Sequence, residues 1–259
     1  MPPGPPHRLA RARPASDASP AASAAPADRA ARLDALVRAL GSQLRRGPAA
    51  GDASGAAPWP TGLTEVDALL GGGLPRAGLS EIAGPASSGR TSVALALVAR
   101  ATRAGHCAAW IDAADAFDPI SADDAGAALE RVLWARPRAG DETLRIAARL
   151  LETDGFPLVV LDLGLAPARG AVRDPNAWRR LARAAQAAAR ALVVLADERV
   201  AGSAADVALA LARHPARWSE APTLLEGLEL EVALVRHRTA PAAAGRGVRV
   251  RTPRDERAA

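Results

Sequence analysis

The chain has 259 residues, 49% hydrophobic and 24% charged, a globular composition with length enough for one large domain plus tails. Its single cysteine, Cys107, excludes a disulfide scaffold and a cysteine-based zinc site, and 3% aromatic residues without a tyrosine argue against a stacking platform for nucleic-acid bases. All 33 basic residues are arginine and the formal net charge is +5, a mild attraction to nucleic acid that a coding bias towards Ala, Arg, Gly and Pro explains equally well.

Residues 1–27, rich in Pro, Ala and Ser, have no apolar period and read as a disordered tail. Their positive charge has no apolar core behind it, which argues against a secretory signal. No run of about 20 apolar residues is present to span a membrane, so the expected location is cytoplasmic. Asp28 opens a predicted helix with Leu33, Leu36, Val37, Leu40 and Leu44 on one face, stopped by Gly47-Pro48. With its linker this helix fills 28–58. It packs on its own core or docks on a neighbouring subunit, the second choice giving an oligomer.

The main domain is expected over 59–253, with a short tail over 254–259. Strands are predicted over Leu79–Ala83, His106–Asp112, Leu158–Asp162 and Ala191–Ala196, with helices over Thr91–Arg103, Asp141–Asp154 and Pro175–Arg190. Alternating strands and helices imply an α/β fold with a mostly parallel central sheet and helices on both faces. Leu228–Val235 and Val248–Arg251 read as antiparallel strands at the C-terminal end.

The chemistry is concentrated at Gly84-Pro85-Ala86-Ser87-Ser88-Gly89-Arg90-Thr91. Between a strand and a helix, this is a P-loop with Arg90 at the lysine position. Its glycines let backbone N–H groups wrap a phosphate, and the helix N-terminus adds partial positive charge. Thr91 is placed to ligate Mg²⁺, with Asp162 at the end of LVVLD as the acidic partner. Arg90 is a wide planar fork where lysine is a slim point charge, so alignment of a transferring phosphate is expected to suffer. The four histidines show no catalytic spacing, Cys107 reads as a packed small hydrophobe, and Trp59 is a candidate for the nucleotide's edge.

The stretch from PTGLTEVDALLGGGLP through GPASSGRTS to IDAADAFDP, followed by LVVLD, ALVVLADER and ELEVALVRHRTAP, resembles the RecA recombinase family from about Arg29 to Pro253. The resemblance implies a RecA-like P-loop core, ATP or ADP with Mg as ligand, and a nucleotide-binding set running from Gly84 to Thr91 and on to Ser92. It also implies what is altered. Ala114 stands where the family has a water-activating glutamate, and Asp197 where it has a glutamine that senses the γ-phosphate. Arg236 and Arg238 match two lysines that reach a neighbour's nucleotide. Arg169, Arg173, Arg179 and Arg180 fall in or beside the first DNA-contacting loop, while the second, Arg199 to Asp206, is shortened.

Within the family the chain is most similar to the ImuA-type accessory proteins of translesion mutagenesis. That likeness implies a weakly active or non-catalytic module in DNA repair and the SOS damage response. Its implied partners are a RecA filament, a Y-family polymerase-like protein or single-stranded DNA. The alternative is a DNA-dependent ATPase of the recombinase type.

Overall fold

The computed structural model describes residues 57–138, 140–164, 170–213, 217–218, 225–227 and 229–251. The tail and helix expected before residue 57, Arg169 and the tail over 254–259 lie outside the described residues.

The apolar runs become the middle of one sheet. Strands β1 (Gly78–Ala83), β4 (Leu158–Asp162) and β5 (Ala191–Ala196) are buried along their whole length, as strands covered on both faces must be. β5 lies between β1 and β4, parallel to both. Beyond β4 come β2 (Ala108–Asp112) and, at the edge, β3 (Val132–Ala135), also parallel. On the other side β6 (Val207–Arg213) is parallel to β1, while β9 (Glu229–His237) and β10 (Gly247–Arg251) return antiparallel. The order is β10-β9-β6-β1-β5-β4-β2-β3, with β7 (Arg217–Trp218) and β8 (Leu225–Gly227) forming a separate pair. The sheet is therefore mostly parallel, with antiparallel C-terminal strands.

Alternate residues of each strand face opposite layers. Leu158 and Val160 of β4 join an apolar cluster with α1 (Thr64–Leu70), α2 (Arg90–Arg103) and Ala122 of α3 (Pro119–Asp124). Val159 and Leu161 point the other way, towards α4 (Gly140–Glu152) and α5 (Pro175–Ala187). Both faces of the sheet are thus covered, and the ends of the parallel strands are left to carry loops.

Three local departures from the sequence reading have clear causes. β2 starts at Ala108 because the His106 N–H closes the end of α2, donating to the Ala101 carbonyl at 3.1 Å. α5 stops at Ala187 because Ala189 turns to φ +52° and Arg190 leaves the helix. Its guanidinium caps the free carbonyls of Leu150 and Leu151 at the end of α4 and pairs with Asp154 at 2.8 Å. β9 runs on to His237 because the start of β6 pairs with it as far as that residue.

Candidate nucleotide-binding site

The loop between β1 and α2 is fixed by close approaches of its backbone to neighbouring strands. Gly84 is held by its N–H on the Ala196 carbonyl at 3.1 Å. A Cβ there would strike the Leu211 carbonyl and come within 2.6 Å of Ser88 Oγ. Ser87 adopts φ +59° and Gly89 φ +88°, where a Cβ on Gly89 would meet Leu230. Gly89 is the N-cap of α2, and no side chain caps the helix's first turn. The free N–H groups and the helix dipole therefore point at whatever lies in the loop. Ser88 Oγ, fully buried, has no hydrogen-bond partner. That orphaned hydroxyl, the uncapped turn and the glycine cradle together fit the phosphates of a nucleotide. Pro85, Ala86 and Ser87 are exposed on the loop, and Thr91 and Ser92 are exposed in the first turn of α2.

Arg90 behaves differently from the residues beside it. Only 8% of it is exposed, and its Nη1 donates to the Gly164 carbonyl at 3.2 Å, just beyond the end of β4. Burial pulls its guanidinium below the usual arginine range, while the carboxylates of Asp162 and Asp197 pull it back up. Asp162, buried, accepts the Gly164 N–H on Oδ1 at 2.9 Å. Burial pushes its carboxyl above the ordinary range against the opposing pull of that N–H and Arg90. Asp197, at the position the resemblance gives to a sensing glutamine, here helps to balance Arg90. For Mg²⁺ with a nucleotide the structure offers the Thr91 hydroxyl, exposed in the first turn of α2, and the Asp162 carboxylate at the end of β4, the hydroxyl-and-acid pair that would hold such an ion in a P-loop site.

Ala114 sits against the bracket that Arg90 and Asp162 form on Gly164. Gly164 has φ +67°, and a Cβ on it would collide with Ala114 Cβ. Asp115 does not stand in for the missing acid, since it adopts φ +53° and pairs with Arg136 at 3.2 Å, both side chains well exposed. The neighbouring Asp112 is spent on structure: it accepts the N–H groups of Ala116 and Phe117 and the Trp134 indole.

Glu81 escaped the sequence reading, although an acid inside an apolar strand was its signal. It is completely buried in β1 and accepts the Val200 and Ala201 N–H groups at 2.5 and 2.8 Å, with Arg199 at 3.4 Å. The loop after β5 is thereby drawn down onto the central strand.

The remaining candidates lie apart from the loop. Arg238 pairs with Asp206 at 2.7 Å and Arg236 donates to the Ala205 carbonyl at 2.7 Å, so both guanidinium groups have partners within their own chain. Arg173, Arg179 and Arg180 are exposed around the start of α5. Arg180 lies 3.6 Å from Asp174, and Arg179 reaches Asn176 at 3.4 Å. Trp178, fully buried, holds the preceding turn by donating to the Val172 carbonyl at 2.8 Å. Trp59 is buried, its ring edge-on to His106 and covered by Arg76, which leaves no free face for a base. No described helix is long and apolar enough to cross a membrane.

The model of the RecA N-terminal domain matches residues 46–178. Over 104 residues the chain is 42% identical to protein RecA of Methylococcus capsulatus and 46% identical to that of Mycobacteroides abscessus. Each match covers 40% of this chain, and the chain spans only 30% of the length of these curated relatives. Among solved structures, the RadB recombinase matches with a TM-score of 0.58 and 21% identity, over 74% of this chain and 95% of that one. This last likeness is one of fold.

Proposed function

Because this chain belongs to the RecA N-terminal domain family, we propose that it is a RecA-like accessory module of DNA repair that holds a nucleotide and hydrolyses it weakly or not at all. One observation carries this reading: Ala114, where the resemblance puts the water-activating glutamate, packs against the same Gly164 whose carbonyl holds Arg90. A methyl group cannot take a proton from water. A guanidinium tied to the β4 end is also poorly placed to follow a moving phosphoryl group, and catalysis of that transfer rests on alignment and charge. The nucleotide, ATP or ADP, then acts as a structural ligand. The role is in the damage response, supporting error-prone translesion synthesis beside a RecA filament or a Y-family polymerase-like partner in the cytoplasm. Arg236 and Arg238 are the candidates for a neighbour's nucleotide, and Arg169, Arg173, Arg179 and Arg180 for single-stranded DNA.

The intact glycine cradle with Asp162 at the end of β4 favours a second reading, a DNA-dependent ATPase of the recombinase type. Phosphate release from ATP, with and without single-stranded DNA, separates the two. The accessory reading expects turnover near background. Robust, DNA-stimulated release that disappears in Thr91→Ala establishes the ATPase instead.

A further inference from the structure

We propose that a second site, at the end of the sheet opposite the glycine loop, takes a small organic phosphate on the guanidinium of Arg76. Its cavity of about 450 Å³ lies where β1 and β6 begin and β9 ends, between Ala77, Asp206 and Arg238. The length of β1, about 20 Å, separates it from the glycine loop, so the site stands whether or not that loop holds a nucleotide.

Arg76 is a fixed cation with nothing to balance it. Its guanidinium lies 3.9 Å over the ring of the buried Trp59, and its Nε donates to the Ala57 carbonyl at 2.5 Å. Those two contacts hold the fork in place. Both Nη groups are left without a hydrogen-bond or ion-pair partner among the described residues. Burial alone acts on the group, pulling it below the usual arginine range with no carboxylate to pull it back. A partly buried charge without a partner is costly to keep. A guanidinium with two free N–H ends matches the paired oxygens of a phosphate.

The rest of the lining agrees. Asp206 is the one acid among the described residues around the cavity, and it is already paired with Arg238 at 2.7 Å. Its other oxygen accepts the Leu79 N–H at 3.2 Å. No free carboxylate is therefore present there to repel an anion, and the charge of Arg76 is left over. His237 accepts the Ala240 N–H on Nδ1 at 3.1 Å, which puts the proton of the neutral ring on Nε2 as a further donor. Leu70 and Val207 give an apolar wall. The volume is that of a small-ligand pocket and far exceeds what a bare phosphate ion fills, hence an organic phosphate. Arg76 lies recessed on Trp59, which favours a free small molecule over a group carried by another chain.

The test is calorimetric titration of the full chain with ribose 5-phosphate as the probe. Magnesium and AMP-PNP, a non-hydrolysable ATP analogue, are present throughout to fill the glycine loop. One probe molecule per chain is expected, bound about tenfold or more weakly in Arg76→Met. Equal affinity in that variant, or no binding to the unmodified chain, overturns the proposal and leaves the reading of the glycine loop untouched. Binding that occurs only where AMP-PNP drives the chain to self-associate would give the cavity to a second copy's nucleotide, and it too overturns the free-ligand site. Where Arg76→Met fails to fold, crystals of the unmodified chain soaked in selenate decide the matter. An anomalous peak within hydrogen-bond reach of the Arg76 Nη atoms supports the site, and a cavity without one contradicts it.

Discussion

Arg90 and Glu81 show opposite uses of a buried charge. Arg90 is balanced by two carboxylates and a carbonyl just beyond the end of β4. Glu81 is enclosed in the central strand and satisfied by two backbone N–H groups, so its work is to hold the loop after β5. Glu81→Ala leaves two donors without their acceptor, at about 1–3 kcal/mol for each group. A urea midpoint well below that of the unmodified protein is the expected result; an unchanged midpoint would show that the loop finds other partners. His106 gives a pH dependence. Burial, and secondarily the charge of Arg76, holds its imidazole below the usual value of 6.5. The unfolded chain therefore takes up the proton first as pH falls through 6.5, and stability drops below that point. Between pH 7.5 and 5.5 (chosen to bracket the ordinary histidine range) the denaturation midpoint should fall further in the unmodified chain than in His106→Gln. Equal falls would contradict this placement of His106.

At the scale of elements, α5 links a cap, a buried ring and an exposed cationic face. Asp174 caps its first turn by accepting the Asn176 N–H, with Pro175 at the first helical position. Trp178 turns inward and ties down Val172, while Arg179 and Arg180 remain outside. Trp178→Phe removes that hydrogen bond and part of a filled volume, at about 1–3 kcal/mol. Thermal unfolding should register it as a lower midpoint, and no shift would mean that the indole N–H contributes nothing. The same scale shows what could be read in advance. β4 and β5 declare themselves because strands covered on both faces are apolar throughout. β3 has four residues, α1 seven and α3 six, too few to display a period. β6 reads VALALAR, with alanines that favour no strand by themselves; β1 and β9 on either side make it one. The glycine loop was legible because the backbone there demands glycine. Its bracket was not, since Arg90 and Gly164 lie 74 residues apart and meet only when α2 packs on the sheet beside β4.

For the whole molecule, the parallel order brings the ends of β1, β2, β4 and β5 to one side, where open α/β sheets place their ligands. Phosphate binding needs only the loop and the helix end, both kept here. Hydrolysis needs an acid, a cation and a metal in register, and the proposed function has Ala114 and Arg90 removing that register. The two capacities can therefore separate in one fold. The most direct test is to incubate the full chain with base-labelled ATP, magnesium and single-stranded DNA, collect the protein on a filter, and identify the retained nucleotide by chromatography over time. The account predicts that label is retained and stays ATP over prolonged incubation. Rapid conversion of the retained pool to ADP, or no retained label at all, would contradict it.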